Sequence, residues 1–94
     1  MVQRMSGHSG PVFTTRWIRI IPSPARRRKT WLWRVETLAE APLGTIRWLP
    51  GWRRYCFFPE GGASFDAECL TDLALFCEER TLEQKRTWKK AKEA

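Results

Sequence analysis

The sequence predicts an α+β fold: a four-stranded antiparallel β-meander with a C-terminal helix packed on one face, kinked or continued as a second helix near residue 81. Three observations predict it. Residues 43–59 contain two β-type runs around Pro50-Gly51, in which apolar and polar side chains alternate as in a half-buried hairpin. Two further runs rich in β-branched and aromatic residues precede this hairpin. After Ser64, apolar residues recur at intervals of three and four, the spacing of an amphipathic helix.

The composition is that of one small domain. The chain has 94 residues, of which 43% are hydrophobic and six are tryptophan, so it can bury one modest core. No apolar run approaches the roughly 20 residues that cross a bilayer, and a soluble intracellular protein is expected. The predicted organisation is a disordered tail at 1–10, a single α+β domain at 11–80 and a basic helical extension at 81–94.

The first strand is expected between Pro11 and Ile21, but its alternation is imperfect. A bulge, or burial on both faces, would explain why one face collects Phe13, Trp17 and Ile21 and the other Ile18 and Ile20. Prolines at 22 and 24 end this strand, and a run of four cations follows, namely Arg26, Arg27, Arg28 and Lys29. Four like charges in sequence indicate an exposed loop, which is either a solvated connection or a loop that contacts phosphates.

The remaining strands alternate regularly. The second covers Thr30 to Leu38, and the third and fourth flank Pro50-Gly51. Pro50-Gly51 fits the centre of a type II turn, and the loop is expected to be about four residues, from Leu49 to Trp52. The predicted core face carries Trp31, Trp33, Val35, Ile46, Trp48, Tyr55 and Phe57.

The helix is expected to begin at Ser64 or Asp66, either of which can cap it. Its predicted core stripe consists of Phe65, Cys69, Leu70, Leu73, Phe76 and Cys77, with Leu75 away from it. Thr81-Leu82-Glu83-Gln84 matches a capping box, which predicts the break or kink near Arg80. Beyond it, Trp88 lies among the cations Lys85, Arg86, Lys89, Lys90 and Lys92.

Catalytic and metal-binding patterns are missing from the sequence. The single histidine, His8, lies in the N-terminal tail, and Gly61-Gly62 does not belong to a phosphate-binding motif. Cys56, Cys69 and Cys77 have no CxxC spacing and fit small buried side chains in a reducing cytosol better than a zinc site. The sequence therefore predicts a protein that is not an enzyme and has no cofactor and no metal.

The charge distribution favours a binding role. The net charge of +7 divides into a basic sheet half, an acidic segment at 60–80 and a basic end. Alternation places Arg34, Arg47 and Arg54 on the face of the sheet opposite the core. Directly opposed same-face residues sit about 5 Å apart, so a stripe of like charge is expected. This stripe, extended by the loop at 26–29, is the predicted binding site, and a solvated face without a partner is the alternative.

The hairpin and helix carry a recognisable pattern. It runs Leu43-Gly44-Thr45-Ile46-Arg47-Trp48, then Trp52-Arg53-Arg54-Tyr55-Cys56-Phe57-Phe58-Pro59, then Phe65-Asp66 and Cys69-Leu70-Thr71-Asp72-Leu73. In this pattern, residues 30–80 resemble a group of small uncharacterised phage and prophage proteins. The resemblance implies a meander-plus-helix fold and a mobile-element origin, and it carries no assigned activity.

Small phage proteins of this type commonly occupy a functional surface of a host protein. The resemblance therefore implies a protein that inhibits or adapts a host protein or protein–nucleic-acid complex, for example a host-defence system such as CRISPR. Two alternatives stay open: a small basic nucleic-acid-binding protein, and a self-associating structural or assembly component. Should the arginine stripe not bind, the helix segment around Trp88 is the next candidate. The resemblance implies a location in the cytoplasm of the host cell. No membrane partner is expected, and the oligomeric state is left open.

Overall fold

The structure is a computed structural model in which residues 13–23 and 30–93 are described. These residues form five strands and one helix: β1 (Phe13–Thr14), β2 (Ile18–Pro22), β3 (Leu32–Thr37), β4 (Pro42–Leu49), β5 (Arg54–Pro59) and α1 (Ala67–Glu93). The strands make one antiparallel sheet in chain order. The α+β class and the meander order are confirmed, whereas the predicted count of four strands is wrong. The predicted tail at 1–10 and the cationic loop at 26–29 lie outside the described residues.

The fifth strand comes from a reversal inside the predicted first strand. Thr15 donates its amide to the carbonyl of Ile18 at 2.9 Å, and its hydroxyl accepts the amides of Trp17 and Ile18, both at 3.2 Å. The chain therefore turns back, and Phe13 pairs with Ile20. This hairpin explains the imperfect alternation: Phe13 lies on the same face as Ile20, not on that of Ile21 as predicted.

A close approach of two strands requires glycine at position 44. Val35 pairs with Gly44 and Glu36 with Pro42, so Leu43 is the additional residue of a bulge near the start of β4. At Gly44, where φ is +155°, an added Cβ would lie 2.3 Å from the Phe58 carbonyl oxygen. Any side chain would push β5 away, which gives a physical reason for the Leu43-Gly44 pair in the sequence pattern.

The β4–β5 loop has the predicted length but not the predicted turn. It covers Pro50 to Arg53, one residue later than expected, and Arg53 donates its amide to the Leu49 carbonyl at 2.8 Å. The left-handed residue is Arg53, with φ of 56°, whereas Gly51 does not have positive φ. The type II prediction for Pro50-Gly51 is therefore wrong.

The core lies between α1 and one face of the sheet. Its buried side chains are Ile18, Ile20, Trp33, Val35, Ile46, Tyr55, Cys69, Leu73 and Phe76. Trp33 packs edge-on against Phe76, with ring centroids 5.1 Å apart. Trp48 and Phe57 are partly buried against this core, as predicted. Trp31 is the exception, because it precedes β3 and remains 41% exposed while stacking on Trp33 at 6.1 Å.

Helix α1 is continuous through residue 81. Asp66 caps it, accepting the Cys69 amide at 2.9 Å, which confirms one of the two predicted caps. The predicted stripe holds except at Leu70, which is exposed. The expected break near Arg80 is wrong because Thr81 does not cap a new helix: its hydroxyl accepts the backbone amide of Tyr55, 2.9 Å away in β5.

Both edges of the described sheet resist addition of another strand. β1 has two residues, too few to guide a partner strand. Along β5, Tyr55 directs its amide away from β4, since Thr81 receives it, and alternation gives Phe57 and Pro59 the same direction. Thr81 binds the first of these three amides and Pro59 has no N–H. Among these three positions, and within the described part of the chain, only Phe57 can donate an amide to an added strand. Within residues 13–23 and 30–93, no helix combines the length and apolar character that crossing a membrane requires.

Two candidate binding surfaces

The first candidate surface is the sheet face, on the side of the sheet opposite α1. Its exposed part on β3, β4 and β5 includes Leu32, Arg34, Thr45, Arg47, Arg54, Cys56 and Phe58. Toward β2 the same face continues with Arg19, Ile21 and Glu36. The three predicted arginines do share this face, but no two are directly opposed. Arg34 pairs with Thr45, and Arg47 pairs with Leu32 and Cys56. The arginines therefore follow a diagonal with spacings of roughly 7–8 Å, and their mutual repulsion is weaker than predicted.

One carboxylate, Glu36, lies at the end of the sheet face, and it pairs mainly with Arg19 and not with the three predicted arginines. Glu36 is buried and forms a hydrogen-bonded ion pair with Arg19, whereas its distance to Arg34 is 3.8 Å. Glu40 also contacts Arg19 at 3.5 Å. The Glu36 hydrogen bond raises the pKa of Arg19. Sequence reasoning missed Arg19 because the hairpin at Thr15 was not recognised and the register that places Arg19 opposite Glu36 was not predicted.

The other two arginines lie over apolar or backbone groups. The Arg47 guanidinium carbon is 3.8 Å from the centroid of the Phe58 ring, a cation–π contact that holds the side chain flat on the sheet. Arg54 donates its Nε to the Trp52 carbonyl at 3.4 Å. Both side chains are exposed. The sheet face thus presents planar cations over half-buried apolar groups, with Arg26, Arg27, Arg28 and Lys29 outside the described residues.

The second candidate surface, the helix-end cleft, lies where the last turns of α1 meet the β4–β5 loop. It is an open cleft of about 760 Å³ lined by Arg53, Lys85, Trp88, Lys89, Ala91 and Lys92. Four of these residues are cations, and no carboxylate lines the cleft among the side chains that the structure describes. Lys85, Lys89 and Lys92 follow one face of α1, separated by about 6 Å and then about 5 Å along its axis.

A chain of contacts with the sheet fixes the position of the helix-end cleft. Trp88 packs edge-on against Trp48, with ring centroids 5.1 Å apart and an interplanar angle of 84°. One helical turn earlier, the buried Gln84 accepts the Tyr55 hydroxyl at 2.7 Å, and this hydroxyl accepts the Trp31 amide at 3.0 Å. The Trp88 ring is therefore held in place while one side of it remains accessible at the cleft.

Arg53 contributes to the helix-end cleft at a conformational cost. Its left-handed φ of 56° costs a residue with a side chain about 1–2 kcal/mol, and glycine would adopt it freely. The loop has a glycine two residues earlier, where positive φ is not needed. Strained residues of this kind concentrate at functional sites. Sequence reasoning missed Arg53 because the turn prediction assigned the special conformation to Gly51.

The two surfaces meet at the edge of β5. Arg54 of the sheet face and Lys85 of the helix-end cleft both line a second cleft, of about 420 Å³. Glu78, Thr81 and Leu82 also line it. Arg54 therefore belongs to the sheet face but also borders the groove that adjoins the helix-end cleft. This groove differs from the helix-end cleft because it contains a carboxylate, that of Glu78.

The cysteines do not form a site in the described part of the chain. All three are free. Burial raises the pKa of the Cys77 thiol to about 11, and the nearby Cys56 adds to this rise. Burial, and then the negative charges of Asp66, Asp72 and Glu68, raises the pKa of Cys69. Across residues 13–23 and 30–93, no three His, Cys, Asp or Glu side chains come together as metal ligands would.

Comparison with known proteins finds no match to this chain, whether among family models, curated proteins or solved structures.

Proposed function

We propose that this protein is a small non-enzymatic binding protein of phage or prophage type that inhibits or adapts a host protein complex. The sheet face is the proposed contact surface. One observation carries the proposal: α1 covers one face of the sheet, and the other presents Arg34, Arg47 and Arg54 among apolar side chains. The phage-type role includes binding to a host-defence system such as CRISPR. It rests on the sequence pattern at 30–80 and on the inhibitory role that is common among small phage proteins.

The residue types of the sheet face favour a protein partner. Protein–protein interfaces are enriched in arginine and aromatic residues and depleted of lysine. Besides Arg19, which is paired with Glu36, the described sheet face has three arginines with Phe58 and Leu32 nearby, and none of its residues is lysine. Arg47 already lies on the Phe58 ring, so little side-chain freedom is lost when an acidic surface binds it.

The test uses three variants of equal charge. The sheet-face variant carries Arg34→Gln, Arg47→Gln and Arg54→Gln. The control variant carries Arg16→Gln, Arg86→Gln and Lys90→Gln, which are exposed and belong to neither surface. A third, the helix-end variant, carries Lys85→Gln, Lys89→Gln and Lys92→Gln. Each triple removes three positive charges, so long-range attraction falls equally in all of them and only the location differs.

Each variant and the parent are used to capture proteins from a bacterial cell extract, and the captured partner is then purified. We expect the sheet-face variant to bind that purified partner about tenfold or more weakly, whereas the control variant stays within about threefold. Thermal stability should change little, since the three arginines are exposed and diagonal to one another. Equal affinity of the sheet-face variant and the parent would overturn the proposal.

A further inference from the structure

We propose that the helix-end cleft is a second, independent binding surface, and that it binds single-stranded nucleic acid. The cations Arg53, Lys85, Lys89 and Lys92 would contact the phosphates, and the held Trp88 ring would stack on an unpaired base. This inference does not depend on the proposed function of the sheet face.

Charge is the first observation that favours this partner. Four cations surround the cleft with no described carboxylate among them, in contrast to the groove beside β5, which contains Glu78. Lysine is depleted in protein interfaces but is a common phosphate contact. The row from Lys85 to Lys92 extends about 10 Å along the helix, a length that runs beside about three consecutive phosphates at the spacing of a stacked strand.

The aromatic ring is the second observation. Sites for single strands combine a cationic groove with aromatic rings on which bases stack. Trp88 lines the cleft and is half-buried, and its edge-on contact with Trp48 at 5.1 Å leaves it fixed before any ligand binds. A duplex keeps its bases paired and stacked, so this ring favours a single strand over a duplex.

The backbone of Arg53 is the third observation. Arg53 has a left-handed backbone that glycine would adopt without strain, and its side chain lines the cleft from the loop side while the lysines line it from α1. Cations thus approach the ligand from two separate elements. A helix end that only faces solvent would not require a cation from the β4–β5 loop as well.

The experiment measures binding of labelled homopolymers of about 20 nucleotides, one of thymidine and one of uridine, at about 50 and about 200 mM salt. A duplex of equal length and a polyglutamate of similar charge serve as comparisons. The proteins are the parent, the helix-end variant, the sheet-face variant, the control variant and Trp88→Leu, which keeps an apolar side chain against Trp48. Circular dichroism and thermal unfolding verify that each variant is folded.

We expect the parent to bind a single strand more tightly than the duplex and than polyglutamate, and the preferred homopolymer identifies DNA or RNA. The salt slope is the decrease of log affinity with log salt concentration. Removal of three phosphate contacts in the helix-end variant should lower this slope by about 2. Between the two salt concentrations, the variant should therefore lose about twentyfold less affinity than the parent loses. Trp88→Leu should weaken binding about fivefold or more while leaving the slope unchanged. The sheet-face and control variants should each stay within about threefold of the parent.

Three results would overturn the inference. They are no binding of either homopolymer at the lower salt, equal weakening by all three triples, and polyglutamate or duplex binding as tight as that of the single strand. Because the proposed function is tested with a purified protein partner and the sheet-face variant, either proposal can fail while the other stands.

Discussion

The sheet face and the helix-end cleft carry similar charge but differ in how that charge is held. On the sheet face, arginines lie flat over apolar groups, as Arg47 does on Phe58. In the helix-end cleft, lysines surround a single fixed tryptophan. Planar guanidinium groups over apolar side chains suit a protein surface, whereas mobile ammonium groups around an aromatic ring suit phosphates and a base. Net charge alone, which is +7 here, therefore does not identify the partner.

The largest expected effect comes from removing the ring that positions the helix-end cleft. Trp48→Ala should lower the free energy of unfolding by about 3 kcal/mol, at the low end for tryptophan truncation because the ring is partly exposed. It also removes the partner of Trp88, so binding of single strands should fall while the sheet face is unaffected. Chemical denaturation and the binding assays measure both. Trp52→Ala, at a residue 67% exposed, is the control and should cost under about 0.5 kcal/mol. A loss below about 1 kcal/mol for Trp48→Ala would contradict this account of the packing.

The polar contact between sheet and helix should give the next effect. Tyr55→Phe removes the hydroxyl that bonds the buried Gln84 and accepts the Trp31 amide, so we expect a loss of about 1–3 kcal/mol. A double-mutant cycle with Gln84→Leu isolates the pair, and a coupling of about 1 kcal/mol is expected from equilibrium unfolding. Zero coupling would mean that Gln84 does not anchor the second half of α1.

Much of the fold could be predicted because it rests on local patterns. Alternation identified the core face at Trp33 and Ile46, and periodicity identified the stripe at Leu73 and Phe76. The hairpin at Thr15 could not be found that way, because its turn contains neither glycine nor proline and is closed by a threonine hydroxyl. The continuity of α1 was missed for a related reason: the capping-box pattern at Thr81 is local, whereas the bond that Thr81 makes is with β5.

The candidate sites also combine features that local sequence patterns predicted with features that depend on tertiary structure. Alternation placed Arg34, Arg47 and Arg54 on one face, but the register that sets their spacing depends on the bulge near Gly44. Trp88 and its lysines were recognised as a cluster in the sequence. Arg53 was not associated with them, because more than thirty residues separate it from Lys85 and only the docking of α1 brings them together.

A substitution in the β4–β5 loop should separate stability from binding. Arg53→Gly relieves the left-handed strain but adds chain entropy to the unfolded state, so we expect a net gain of about 0.5–1 kcal/mol in stability. Binding of single strands should weaken, and the salt slope should fall by about 0.7. Arg53→Lys retains the charge and the strain and serves as the control. A loss of stability in Arg53→Gly would show that the arginine side chain packs rather than binds.

The smallest perturbation is a thiol label, which reports which surface is occupied. A pKa of about 11 lowers the thiolate fraction of Cys77 about a hundredfold relative to an ordinary thiol near neutral pH, and the raised pKa of Cys69 acts in the same direction. Maleimide should therefore modify Cys56 first, as measured by peptide mass spectrometry. A protein partner on the sheet face should protect Cys56, whereas a single strand should not. Protection of Cys56 by the single strand would contradict the separation of the two surfaces.

The most direct test of two distinct surfaces is a nuclear magnetic resonance titration of the labelled protein with the thymidine homopolymer. We expect shifts at residues 52–53 and 85–92, including the indole N–H of Trp88, with the amides of Arg34 and Arg47 unmoved. Shifts centred on the sheet face, with the Trp88 indole unchanged, would show that the two surfaces do not bind separate partners.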